Sequence, residues 1–383
     1  MSRYNNYAVP AISEGRRMTA GQAAMLAEKE LPPADIDHIY FDLTFYNNST
    51  SIQANQQQVP ATVFQSYAQT IIKNPEEWSL TVARFSISSN NIPRVIQDPT
   101  ADDTTTDLWV GVSYAGNNYD APILLPPLIL NGQVMLRAAY NVNQFLDIIN
   151  AGYIAAQTAA AAAGGPTGSG YPFMSYDPVS GLYQMNEPDY MITNGTGATN
   201  LTMSYDLYHK FQSFPVHINS PITYNHHDVF FYAAVRGDGP VEYTYPNLGT
   251  TGLYIPITQE SSWPSSIMNV NRLLITTTTM PVVTEYRGTQ TYMQLQANSQ
   301  NETKQIITDF FIGLDQNILP RGEHWLYTPN LYRIASMKGN TPIRQLDITV
   351  YVATTDGTIY QLYLNPLDSL DIKILFMKKG LTA

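Results

Sequence analysis

Three short clusters hold the side chains best suited to chemistry. His226-His227-Asp228 is the densest grouping of the six histidines. On a strand, neighbouring side chains point to opposite faces, so His226 and Asp228 could share a cation while His227 could not. Two ligands without a third make no metal site, and a loop leading into the strand VFFYAAV accounts for the same residues. Asp102-Asp103 and Asp107, in TADDTTTD, offer hard oxygens of the kind Ca²⁺ takes. An acidic solvent loop is the simpler reading. Glu76-Glu77, after Asn74-Pro75, reads as a turn ahead of Trp78, and nothing in its spacing poises a carboxylate pair for acid–base work. No HExxH, GxSxG, P-loop, GxGxxG or EF-hand pattern occurs. The expectation is a protein that is not an enzyme and holds no cofactor and no metal.

One tripeptide needs weighing separately. Arg236-Gly237-Asp238, in AAVRGDGPVEY, has glycines spaced for a tight turn. It reads either as a hairpin tip or as an exposed attachment loop, and both readings require exposure.

Around these clusters the chain is unusually short of charge. Asp, Glu, Lys and Arg make up 13% of its 383 residues, against about 25% in an ordinary soluble domain. Asn, Gln, Ser, Thr and Tyr take their place. Interface cores are depleted in charge and enriched in aromatics, so the composition points to an assembly subunit covered by neighbours, with Tyr rings on its surface. The net charge of −11 argues against coating nucleic acid as the main role. With 0 Cys, disulfides and thiolate chemistry are excluded. The N-terminus lacks a signal-peptide core, and no apolar run is long enough for a membrane span; APILLPPLIL is broken by prolines.

The elements that must carry this surface are mostly strands. In HIYFDLTFY, Ile39, Phe41, Leu43 and Phe45 share one face, with Tyr40, Asp42, Thr44 and Tyr46 on the other. TVFQSYAQTII, WSLTVARFSIS, LWVGVSYA and DVFFYAAV are further strand candidates. Leu346, Ile348, Val350 and Val352 alternate into TTDGT, and TIYQLYL returns, which predicts a hairpin turning at Asp356-Gly357. Leu370, Ile372, Ile374 and Phe376 form a last alternating strand. Asn141 caps a helix over VNQFLDIINAGYIAA, expected to end in a flexible Ala-then-Gly/Ser loop, QTAAAAAGGPTGSG. Residues 1–36 carry a capping-box pattern at Thr19 and Gln22 and a Leu31-Pro32-Pro33 stop, reading as an arm or as a disordered leader. The fold class is therefore all-β, a sandwich with large loop insertions.

The order of segments carries a resemblance. YFDLTFYNN, then PATVFQSYAQTIIKNPEEWSLTVARFSISSNNIP, NVNQFLDIINAGYIAA, YPFMSYDPVSGLYQM, SSIMNVNRLLITTTTMPVVTEY, QIITDFFIGL, NLYRIASMKGNTPIRQLDITVYVATTDGTIYQLYL and DSLDIKILFMKKG together resemble the penton (minor capsid) proteins of polinton-like viruses, adintoviruses and virophages. The resemblance implies a jelly-roll β-sandwich split by a large helix- and loop-containing insertion, with an N-terminal arm. Residues 1–36 would be the arm, 37–100 and 266–383 the two parts of the jelly roll, and 101–265 the insertion. It implies a virion protein, assembled inside the host cell, that forms a homopentamer at icosahedral vertices. Its partners would be the major capsid protein and, on the outer face, a spike, a fibre or a host receptor. The Arg236-Gly237-Asp238 tripeptide serves for attachment in some adenovirus vertex proteins. Two competing readings are a double-jelly-roll major capsid protein and a carbohydrate-binding attachment sandwich, in which Trp78, Trp109, Trp263 or Trp325 would stack on sugars.

Overall fold

The computed structural model describes residues 37–48, 58–193, 199–218, 228–231, 241–244, 251–261, 267–283, 286–287, 304–312, 324–328 and 333–380. Two antiparallel sheets face one another. In the first, the strands run in the order His38–Tyr46, Ser369–Lys378, Trp78–Ser88, His324–Tyr327, with Ala335–Ser336 also paired to Trp78–Ser88. In the second, the order is Tyr286–Arg287, Lys304–Phe311, Val270–Thr277, Gln345–Thr354, and the last strand also pairs with Thr62–Ser66 and Ile359–Gln361. Followed in sequence, the chain crosses between sheets after Tyr46, Ser66, Ser88, Phe311, Ser336 and Gln361. That repeated crossing is the wrapping of a jelly roll.

Period-two patterning makes the sandwich close. Leu43, Phe85, Ile87, Leu370, Ile372, Ile374 and Phe376 of the first sheet share one core with Leu273, Ile275, Ile307, Phe310, Leu346, Ile348, Val350 and Val352 of the second. The alternate residues Tyr40, Asp42, Thr44 and Tyr46 stay exposed, as the alternation in this strand requires. The expected hairpin forms: Val352 pairs with Tyr360, and Thr354 N–H donates to Thr358 O at 2.9 Å. Gly357 sits at φ +92°, a conformation that Gly adopts without strain. The strand expected over TVFQSYAQTII stops at Ser66. Adjacent Ile71 and Ile72 both pack towards the core, which period-two geometry forbids, so the chain bends and Ile72 forms an isolated bridge with Ile343.

After Ser88 the chain leaves the sandwich and re-enters it at Val270. Between these points it builds a second hydrophobic core around the helix Val142–Ala162. Asn141 Oδ1 accepts the Gln144 N–H and Gln144 Oε1 accepts the Tyr140 N–H, both at 2.8 Å, which closes the helix start. Phe145, Leu146, Ile149, Tyr153, Ala156 and Ala160 form the buried stripe. Gly152 lets the helix seat closely, because a Cβ there would lie 2.6 Å from Ile123 Cδ1 and 2.8 Å from Val110 Cγ2.

Two expectations change here. The Ala-rich run is not loop: the helix continues through Gln157 to Ala162. Alanine has the highest helix propensity, and Gln157 and Ala160 are buried, with Gln157 Nε2 donating to Pro166 O at 2.8 Å. Only Gly164, at φ +88°, ends the run. Tyrosine is also less of a surface residue than its abundance implied. Tyr153, Tyr183, Tyr254, Tyr351, Tyr360 and Tyr363 are all buried. LWVGVSYA, expected as a strand, pairs as Trp109–Tyr114 with Asn117–Pro122 across a turn at Ala115-Gly116, where both φ values are positive. Of DVFFYAAV, the described part is the strand Val229–Phe231. The capping-box segment of residues 1–36 lies outside the described residues.

Candidate assembly surface

The outer faces of the two sheets are broad and nearly charge-balanced. On the first, Thr44, Asp371, Ser86 and Leu326 lie in register, beside a row of Asp42, Lys373 and Arg84. Asp42 takes both cations, Arg84 Nη2 at 3.8 Å and Lys373 Nζ at 3.4 Å. The Lys373 ammonium also lies 5.4 Å from the Tyr40 ring centroid. Such exposed pairs add little stability; their effect is to cancel charge locally. The outward row also carries Asp371 and hydroxyls, and its large side chains are apolar or aromatic: Tyr40 is 56% exposed and Leu326 61%.

On the second sheet the middle of the outer face is covered, with Leu274, Tyr351, Ala353 and Ile359 buried as a separate cluster, and the open part carries a similar pairing. Asp309 accepts Arg333 Nη1 at 2.5 Å and lies 3.7 Å from Arg272 Nη1. The Arg272 guanidinium stacks 4.4 Å above Phe311, a ring left 62% exposed, and Phe64 is 60% exposed. Between the sandwich and the insertion lies a cleft of about 480 Å³, lined by Gln58, Asn90, Tyr140, Asn141, Gln144 and Asn365 among others, none of the lining residues charged. Burial pushes the Tyr140 phenol up to about 12, so it stays protonated and able to donate.

The expected chemical clusters resolve as structure. Asp102 Oδ1 accepts N–H and Oγ1–H bonds from Thr104 and Thr105, which hold its carboxyl down to about 2 and make it a turn cap. Asp103 and Asp107 are exposed around it. Glu76 and Glu77 form a one-turn 3₁₀ helix with Pro75. Asp228 is buried at the start of Val229–Phe231, whereas His226 and His227 lie outside the described residues. Among the described residues no group of three or more His, Cys, Asp or Glu could hold a metal, and no helix is long and apolar enough to cross a membrane. Arg236, Gly237 and Asp238 lie outside the described residues. Trp109 is buried, its Nε1 donating to Thr106 O at 2.6 Å, and Trp78 packs against the sandwich core, so neither offers a sugar platform.

One structural site escaped the sequence reading. Asp347 is buried on the second sheet beneath the run Thr277-Thr278-Thr279. Its Oδ1 accepts Thr277 Oγ1–H at 2.5 Å, Thr279 N–H at 2.9 Å and the Thr279 hydroxyl. Its Oδ2 accepts Thr278 N–H at 2.6 Å and Thr278 Oγ1–H at 2.7 Å. Desolvation opposes ionisation, but these hydrogen bonds outweigh it and hold the carboxyl below its ordinary range. The signal in the sequence was the TTTT run facing a lone Asp in a strand of apolar residues.

A single jelly roll with one large insertion and charge-cancelled outer faces defines a capsid subunit that works by packing against other proteins. Residues 39–378 match the family model of the Sputnik minor capsid protein V18/19, and the chain belongs to that family. It is a structural minor capsid protein of the virion, not an enzyme. A chain in the cryo-EM structure of the Sputnik virophage is similar over 91% of this chain and 99% of its own length, at 22% identity and a TM-score of 0.61. The crystal structure of the mavirus penton protein is similar over 89% of this chain and 99% of its own, at 14% identity and a TM-score of 0.54. No curated protein sequence matches the chain.

Proposed function

We propose that the chain forms a homopentamer at icosahedral five-fold vertices and seats it among major capsid proteins. Residues 37–100 and 266–383 make the jelly roll that packs into the shell, and residues 101–265 make an insertion that projects outward. The observation that carries this reading is the polarity of the sandwich. The insertion departs at Ser88 and returns at Val270, whereas Asp37, to which residues 1–36 are joined, sits at the far end of the same sheet, its carbonyl accepting the Lys378 N–H. A ring of five needs different surfaces on its two flanks. The faces carrying Tyr40 and Leu326, and Phe64 and Phe311, are two such surfaces. On this reading the arm reaches a neighbour or the inner side of the shell, and Arg236-Gly237-Asp238 lies in the outward insertion as an attachment loop.

A double-jelly-roll major capsid protein would need a second set of crossing sheets. The described residues between Ser88 and Val270 instead form three separate small sheets around the long helix Val142–Ala162, with two short helices, Asp189–Thr193 and Tyr205–Phe211. Mass photometry of the purified protein tests the proposal. Species of five 42.7 kDa copies are expected; a stable trimer would overturn it. In purified particles the chain should be a minor band, and a dominant band would equally refute a vertex role.

A further inference from the structure

Charge is distributed very unevenly along the chain. Residues 101–265 hold three cations (Arg137, Lys210 and Arg236) against thirteen acids, a formal charge of −10 out of the total −11. Residues 38–100 and 266–383 together hold thirteen of each sign. Within that neutral sandwich, several cations gather at the end remote from the insertion. Lys73 follows Ile72 and Arg344 follows Ile343, and the antiparallel Ile72–Ile343 bridge sets the two cations diagonally on either side of it. Lys338 precedes Gly339, whose carbonyl accepts the Glu76 N–H at 3.2 Å. Lys378 pairs with Trp78, and Lys379 N–H donates to Glu77 O.

Lys73, Lys338, Arg344 and Lys379 are exposed, and none forms an ion pair with a described carboxylate. Lys379 Nζ instead donates to the carbonyls of Glu76 and Met337, at 2.7 and 2.9 Å, and Arg344 Nε donates to Thr70 Oγ1 at 3.2 Å. Among the described residues, the acids at this end are Asp37, Glu76, Glu77 and the buried Asp347, with Glu77 Oε1 accepting from Asn74 Nδ2. Residues 1–36, formally neutral with four cations (Arg3, Arg16, Arg17, Lys29) and four acids (Glu14, Glu28, Glu30, Asp35), also join the body here, at Asp37.

We propose that this end of the jelly roll is a polyanion-binding surface whose ligand is duplex nucleic acid, contacted through its phosphates without regard to sequence. The inference rests on the outward placement of the insertion, which turns this end towards the particle's contents. Exposed cations whose charged groups pair with no described carboxylate are the side chains that replace phosphate counterions. The acidic insertion repels the same ligand and so restricts contact to one pole. The whole chain is acidic because of its insertion, so its net charge concealed this surface.

The test is fluorescence anisotropy of the full-length protein with a labelled DNA duplex across a salt series. Binding at low salt should weaken with a log–log slope of about −2 to −4, as expected for a few phosphate contacts. The triple variant Lys73→Glu/Lys338→Glu/Arg344→Glu should lose at least about tenfold in affinity and flatten the slope by roughly 2 to 3. Its thermal melt and oligomeric state should be unchanged. A second variant, Arg16→Glu/Arg17→Glu, separates the arm from the folded surface. The proposal is overturned by no duplex binding at low salt, by binding that only the arm variant removes, or by preference for phosphatidylserine vesicles over the duplex. Mass photometry of the same samples reports the pentamer independently, so failure of either reading is visible alone.

Discussion

Glu187 should make the insertion less stable as pH rises, and replacing it with glutamine should remove that dependence. It lies in the strand Leu182–Pro188, opposite Ile255, and is 1% exposed. Its Oε1 has no hydrogen-bond partner among the described residues. Burial alone pushes its carboxyl from 4.5 up to about 8. The group therefore folds as the neutral acid, while the unfolded chain ionises it above 4.5. A raised folded value gives a contribution fully present below 4.5 and lost progressively until pH passes about 8. At about 1.4 kcal/mol per pH unit, neutralising it at pH 7 costs roughly 3 kcal/mol. Glu187→Gln keeps the shape and is neutral at every pH. Urea denaturation followed by circular dichroism at pH 5, 6, 7 and 8 should give a variant that gains on the wild type as pH rises, by about 1 to 3 kcal/mol at pH 7. Parallel stability profiles, or a variant weaker than the wild type at pH 8, would refute the burial argument.

Asp347 carries the opposite sign. Its folded value is depressed, so its contribution is fully present above the ordinary carboxylate value and is lost as pH falls below that through the depressed folded value; Asp347→Ala should cost on the order of 3 kcal/mol at pH 7 and less as pH falls towards 3, read by thermal melts at the two pH values. Gly152→Ala gains helix propensity of about 1 kcal/mol but drives a methyl into buried Val110 and Ile123, so a net loss of about 1 to 2 kcal/mol is expected, and a raised melting temperature would contradict the close seating of the helix. Tyr40→Glu and Phe311→Glu place a charge on the two outer faces; each should leave the subunit's melt within about 0.5 kcal/mol of wild type and shift mass photometry to monomer. A pentamer that tolerates both would remove these faces from the contact.

The sandwich was legible because its strands have one wet face and one dry face. His38–Tyr46 and Ser369–Lys378 alternate cleanly, and even their mutual register follows from matching the buried residues. The strand Trp78–Ser88 is buried on more than one side, with Ser79 and Thr81 as covered as Leu80 and Val82, yet its length and β-branched content still marked it. The insertion was harder to read. Its strands are short and its turns use left-handed Ala115 and Asn131 as well as glycine, which local pattern does not announce. The helix is legible from its stripe, but its end is not, because a run of alanines reads equally as a low-complexity loop. The buried carboxyls Glu187 and Asp347 were invisible for a different reason. Whether a carboxyl sits under threonine hydroxyls or against a tyrosine is decided by residues far away in sequence, and strand spacing carries no record of it.

Placing nearly all the net charge in the insertion changes what the scarcity of charge means. A uniformly acidic subunit would repel its own copies across every face, and a ring would form against that repulsion. Here the sandwich itself is formally neutral, and on each outer face a carboxylate is bracketed by two cations, so a neighbour meets rings and hydroxyls. Contact of this kind depends little on salt, because there is little long-range field to screen. Repulsion is confined to the insertion, where copies held at their bases would splay apart at their tips. The same partition predicts opposite salt responses in one molecule. Association through the sheet faces should persist as ionic strength rises, whereas polyanion binding at the lysine-bearing end should vanish. If both weakened together, with similar slopes, the faces would be held by charge after all, and the neutral-face account of assembly would be wrong.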